Sequence, residues 1–244
     1  TFCRKNKKSY SLLFSLIIME TTKNIVLAFS GGLDTSFCAV WLRKQGYAVH
    51  AVTINTGGFT ETELGDIQKR AMELGVTSWK VIDGLEAYYD KCIRFLVFGN
   101  VLKNNTYPLS VSAERIIQAM LIADYARETK AGAIAHGSTG AGNDQVRFDM
   151  IFDILLPDVK VITPIRDLQL SREAEIEFLH AENISVNAAK AAYSINKGLW
   201  GTSVGGRETL QSDLPLPESA YPTPVEKSGS EKITLHFIQG ELYG

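Results

Sequence analysis

The sequence predicts a doubly wound parallel α/β sheet. Three observations carry this reading. Short apolar runs alternate with helical patterns, the runs lack the in–out alternation of half-exposed strands, and glycine-rich turns follow two of them. Residues 25–29 read as the first strand, buried on both faces, and 35–44 as the helix after it. Strand 48–54 and helix 61–74 follow, the helix carrying its apolar residues at helical spacing. Strand 76–82 leads into an aromatic-rich helix over 85–98. A polar stretch over 100–107 precedes a long helix over 113–129, then strands over 131–136 and 159–162. Parallel sheets bind ligands at the carboxyl ends of their strands, so the loops there are where chemistry is expected.

After residue 184 the rhythm breaks. Gly198, Gly201, Gly205 and Gly206 loosen the chain, and Pro215, Pro217, Pro222 and Pro224 then crowd together as in a connector or extended arm. A β-like segment over 233–238 follows. The expected division is one α/β domain over 19–184 and the start of a second over 185–244. At the other end, Arg4, Lys5, Lys7 and Lys8 precede the apolar run 12–18, as in a signal peptide. That run is short, no small-residue cleavage site follows it, and Met19 stands just before the first strand. Residues 1–18 are therefore expected to lie outside the domain.

Composition narrows the function. Apolar residues make up 45% of the 244, enough for a sizeable core. A net charge of -2 and a pI near 6.1 speak against a nucleic-acid partner. No run reaches the length of a membrane span. Cys3, Cys38 and Cys92 form neither a C-x-x-C pair nor an even set, which argues against a zinc site or disulfide framework and for a cytoplasmic protein.

The first loop holds Ala28, Phe29, Ser30, Gly31, Gly32, Leu33, Asp34, Thr35 and Ser36. Two glycines between a buried strand and a helix start let the backbone approach a ligand, and the free N–H groups there attract anions. Hydroxyls of Ser30, Thr35 and Ser36 add neutral donors. The loop has no lysine and so is not a Walker loop. Asp34 beside phosphate would be repulsive alone, so Mg2+ held through the phosphates is expected to mediate.

The second loop, 136–147, also follows a strand and carries three glycines. Asn143 and Arg147 are four apart and share a face if a helix starts there. Arg147 can grip a carboxylate, Thr139 and Asn143 offer uncharged donors, and Asp144 can receive an ammonium group. Such a set suits an α-amino acid. The same spacing also fits a capped, solvated helix end, with His136 an ordinary strand-end residue.

S-G-G-L-D-T-S resembles the PP-loop of N-type ATP pyrophosphatases. Together with H-G-S-T-G-A-G-N-D-Q-V-R-F and W-L-x-x-Q-G-Y, it is similar to the argininosuccinate synthase family from about Lys23 to about Leu210. The resemblance implies a sheet of the adenine-nucleotide α-hydrolase-like type and an ATP-dependent ligase that joins citrulline and aspartate, yielding AMP and pyrophosphate. It places ATP on Ala28 through Ser36, on Ile54 at the end of the second strand, and on Gly137. It places aspartate on Thr139, Asn143 and Asp144, and citrulline on Tyr107, Ser112, Asn143, Arg147, Ser194 and Ser203. Arg115 matches an arginine near the nucleotide. Asp144 is the candidate to accept a proton from the aspartate amine.

The sequence departs from the family in two ways. Ile116 follows Arg115 where a proline is usual, and family members continue well past the segment matching Gly244. That further part supplies a glutamate and a tyrosine to citrulline and a helix to a homotetramer. Two alternatives stay open: another PP-loop ligase, or an ATP-binding fragment without catalysis.

Overall fold

The computed structural model describes residues 23–140, 142–186, 193–223 and 225–244. The extension expected over 1–18 lies outside the described residues, as does Pro224.

The apolar runs form one parallel sheet. Its strands are β1 (Lys23–Ala28), β2 (Tyr47–Asn55), β3 (Ser78–Asp83), β4 (Ala133–Ala135) and β5 (Lys160–Ile162), in the order β3-β2-β1-β4-β5. Ile25 pairs with Val49 on one side and Ala133 on the other, so β1 is central. Its side chains alternate between two cores, as strand geometry requires. Ile25 and Leu27 pack with Phe37, Leu42 and Leu74 on one face. Val26 packs with Ile122, Ala126 and Phe152 on the other. Helices α1 (Leu33–Lys44) and α2 (Glu61–Glu73) contribute to the first face. The long α5 (Ser110–Glu128) and α6 (Asp144–Leu155) contribute to the second.

The chain steps outward from β1 to β3, then returns through α5 to lay β4 against β1. The strand order therefore reverses between β1 and β4, and the loops leaving those strands open side by side.

Four elements differ from the sequence reading. The helix expected over 85–98 is α3 (Leu85–Tyr88), a π turn over Tyr89–Ile93, and α4 (Arg94–Phe98). A π turn brings residues five apart onto one face, and Tyr88 and Ile93 are both buried in one small cluster. The glycine-rich stretch after 193 is an antiparallel hairpin, β6 (Ser194–Gly198) with β7 (Gly201–Gly205). Within 233–238 only Phe237–Ile238 is strand (β8), paired with Glu241–Leu242 (β9). After β5 come α7 (Pro164–Asp167) and α8 (Arg172–Ala181), the latter absent from the sequence reading. No helix among the described residues is long and apolar enough to cross a membrane.

Candidate functional site

The two glycine loops meet at the switch point. A Cβ added at Gly137 would lie 3.2 Å from Asp34 Cβ, so the second loop packs on the first. Beside them is a cavity of about 560 Å³, within the size range of small-molecule sites. Ala28, Phe29, Ser30, Gly32, Leu33, Asp34, Thr35, Ile54, Gly137, Thr139, Asp144 and Ser194 line it, all expected from the sequence.

The start of α1 is built to receive an anion. Gly32 is its N-cap and gives no side-chain cap, which leaves the first-turn N–H groups without a capping acceptor. Around it Thr35 Oγ1 donates to Gly32 O at 3.3 Å and lies 3.3 Å from Ser30 Oγ. Gly31 takes φ +76, and a Cβ there would meet Ile67 at 3.2 Å. Ser36 is turned away from the cavity and buried, its Oγ accepting from Arg70 Nε at 3.3 Å. Cys38, two residues on, is fully buried, and burial pushes its thiol up and away from nucleophilic use.

Asp34 faces an unexpected partner. Glu175 on α8 is 2% exposed and shares a hydrogen bond with Asp34. Burial first, and then the Asp34 charge, push Glu175 up to about 8, so it is the protonated member and donates to Asp34. Burial likewise raises Asp34, against the opposing pull of Arg172.

On the far side, Val52, Ile54 and Ile122 give the cavity an apolar wall. Its floor is a polar network missing from the sequence reading. Glu114 on α5 is 4% exposed, and its Oε1 accepts from Thr56 Oγ1 at 2.5 Å and Gln118 Nε2 at 3.1 Å. Burial pushes this carboxyl up. Neighbouring Arg115 donates to Asp144 Oδ2 at 3.1 Å, to Gln118 at 2.8 Å, and to Asn196 on β6.

The residues of the second loop and their neighbours form a chain leading to the cavity edge. Asn143 caps α6 by position, and Arg147 sits one turn on, Arg147 N donating to Asn143 O at 3.3 Å. Arg147 donates to Asp144 Oδ1 at 2.6 Å and to Ser112 Oγ at 2.9 Å. Both Asp144 oxygens therefore accept from guanidinium groups. Tyr107 joins through Ser112: burial pushes its phenol up, but hydrogen bonds from Ser112, Ser110 and the Val111 N–H outweigh this and hold it below the usual tyrosine value. Leu109 between them takes the left-handed φ of 60, an unusual conformation for a branched side chain. Tyr107, Ser112, Asn143, Arg147 and Ser203 stand outside the cavity lining, Ser203 lying opposite Asn196 in the hairpin.

His136 is a structural residue. It is 1% exposed, stacks on Phe148 at 5.3 Å and receives the Ser138 N–H on Nδ1 at 3.3 Å. Nε2 is then the protonated nitrogen and donates to Asp149 Oδ1 at 2.9 Å, with Arg166 on the other oxygen at 2.5 Å. His136, then burial working in opposition, then Arg166 act on Asp149, and the net effect holds it below the usual carboxylate value. A depressed carboxylate stabilises the fold above its ordinary pKa and loses that contribution as pH falls through the folded value. Asp149→Asn is thus expected to lose about 1 kcal/mol in urea unfolding at neutral pH. Its curve should converge with that of the parent in acid; a gap that is the same at both pH values would refute the linkage.

A parallel sheet with an uncapped, lysine-free glycine turn at its switch point defines an α/β HUP domain of the adenine-nucleotide α-hydrolase-like type. Its family is narrower. The family model "Arginosuccinate synthase N-terminal HUP domain" matches residues 24–185, and the chain belongs to the argininosuccinate synthase family. It is 40% identical over 234 residues to "Argininosuccinate synthase" of Xylella fastidiosa, which covers 91% of this chain and 56% of that protein. The protein of the same name from Sulfurisphaera tokodaii is 37% identical over 217 residues, or 88% of this chain and 55% of its own length. That of Methanocaldococcus jannaschii is 38% identical over 219 residues, with the same coverage of 88% and 55%. The chain thus spans little more than half the length of these relatives.

Proposed function

We propose that the chain binds ATP in the switch-point cavity and joins citrulline to aspartate, forming argininosuccinate, AMP and pyrophosphate. One observation carries the reading: the glycine turn before α1 and Asp144, the cavity end of the Asp144–Arg147–Ser112 chain, line one cavity in a chain of this family. Residues 19–184 carry the nucleotide, close to the matched 24–185, and 185–244 begin a second part that starts with the β6–β7 hairpin. The residues suit ATP: backbone donors and hydroxyls for the phosphates, and an apolar wall at Ile54 for adenine. Mg2+, held through the phosphates beside Asp34, would supply charge neutralisation on the leaving group.

In this reading citrulline lies on Tyr107, Ser112, Asn143, Arg147, Ser194 and Ser203, and aspartate on Thr139, Asn143 and Asp144. The ureido oxygen attacks the α-phosphorus, pyrophosphate leaves, and the aspartate amine then displaces AMP from the citrullyl-adenylate. The chain needs no nucleophile of its own and works by holding reactants in line. Arg115 and Arg147 each donate to one Asp144 oxygen, so Asp144 becomes a stronger acceptor for the amine proton when either guanidinium turns to a substrate carboxylate.

The test is product analysis. Pyrophosphate and AMP should form from ATP in a citrulline-dependent manner. ADP and orthophosphate as the substrate-dependent products would overturn the reading.

A further inference from the structure

The phosphate turn has no cation of its own, yet a departing pyrophosphate carries several negative charges. Among the described residues three cationic side chains line the cavity, Arg115, Arg172 and Lys197. Arg115 is committed to Asp144, Gln118 and Asn196. Arg172 acts on the Asp34–Glu175 pair. Lys197 on β6 is held differently: its ammonium donates to Glu63 Oε1 at 2.7 Å, in an ion pair with side chains 30% and 41% exposed. Such an exposed pair contributes little, so an incoming polyphosphate can displace Glu63 at small cost.

The placement is suitable. Glu63 opens α2, and Ile67, four residues on and on the same face, is the side chain packed closest to Gly31. The ammonium is therefore paired to the first turn of α2, one helical turn from the residue that packs on Gly31, and Lys197 lines the same cavity as Ser30 and Gly32. The stem is fixed while the head is exchangeable. Leu199 N donates to Thr56 O at 2.8 Å, Trp200 Nε1 donates to Pro108 O at 2.7 Å, and the loop under the hairpin admits it only with glycine, since a Cβ at Gly58 would lie 2.0 Å from Lys197 O.

We propose that Lys197 exchanges Glu63 for the β- and γ-phosphates when ATP binds, and is the cationic group of the pyrophosphate end. This rests on the ATP reading above.

The experiment is calorimetric titration of the full chain with magnesium pyrophosphate, ATP and AMP, using Lys197→Met and Glu63→Gln. Lys197→Met should weaken pyrophosphate and ATP binding by about three- to tenfold and leave AMP unchanged. Glu63→Gln keeps an acceptor for the Thr60 capping box but removes the competing charge, so it should bind pyrophosphate as tightly as the parent or more tightly. If Lys197 only ties the hairpin to α2, both variants weaken binding alike, and the proposal falls. It falls also if Lys197→Met binds pyrophosphate as the parent does. A parent chain that binds neither ATP nor pyrophosphate overturns the ATP reading and this proposal together.

Discussion

Gly32→Val leaves the fold intact and weakens ATP binding at least tenfold, about 1.4 kcal/mol or more. The backbone at Gly32 has φ -73 and ψ 178, a conformation that any residue adopts, so the side chain brings no local strain. A Cβ there meets only Ser30 Oγ, at 3.4 Å. What valine does is fill space on the cavity side, where the phosphates approach the first-turn N–H groups of α1. Gly31 next to it behaves in the opposite way. Its φ of +76 and the 3.2 Å approach of Ile67 make a side chain costly to the fold itself. Thermal melting and nucleotide titration of Gly31→Val and Gly32→Val should separate these effects, the first losing melting temperature and the second losing ligand. A folded Gly32→Val protein with unchanged ATP affinity would remove the phosphate turn from the site.

The strands were legible because parallel strands covered on both faces must be apolar throughout. The runs 25–29 and 48–54, apolar except for His50 and Thr53, end within a residue of where β1 and β2 end. The helix α8 has a local signal too: Ser171 is a good N-cap residue, its Oγ accepts from Ala174 N at 3.3 Å, and Glu173 and Glu175 follow in the first turn. The hairpin β6–β7 has no such signal. Ser194–Gly198 and Gly201–Gly205 carry three glycines at or near their ends and little apolar alternation. They hold their shape through cross-strand pairing and through tethers to Thr56, Glu63 and Pro108, none of which has a local signal.

The site divides along the same line. The glycine turn before α1 is contiguous, so its seven-residue motif shows it in the sequence. Asn143, Asp144 and Arg147 could be read as one helix start, but only the fold shows Arg115 reaching Asp144 from a different helix. Glu114 and Glu175 gave no sign in the sequence, where each is one acidic residue on an ordinary helix. Their burial follows from which face α5 and α8 turn toward the loops, and that is decided by packing. Ser194, by contrast, was supplied by family resemblance and does line the cavity.

Arg147→Leu raises the citrulline requirement by one to two decades while ATP affinity stays nearly constant. Arg147 hydrogen-bonds both Ser112 and Asp144, through donors at 2.9 and 2.6 Å, and so ties the Ser112–Tyr107 side of the site to Asp144. Leucine keeps much of the aliphatic volume and removes the charge-assisted contacts, a loss of roughly 1.5–3 kcal/mol toward a bound carboxylate. The nucleotide should be spared because Arg147 stands outside the cavity lining, one helical turn beyond the loop that packs on Asp34. Asp144 would keep Arg115, so the loop should not collapse. Thr139→Val, which removes only a hydroxyl from the cavity edge, should raise the aspartate requirement instead. Citrulline- and aspartate-dependent pyrophosphate release, measured beside ATP titrations of each variant, gives the comparison. Loss of ATP binding in Arg147→Leu with an unchanged citrulline dependence would make the second loop a nucleotide element and refute its assignment to the amino acids.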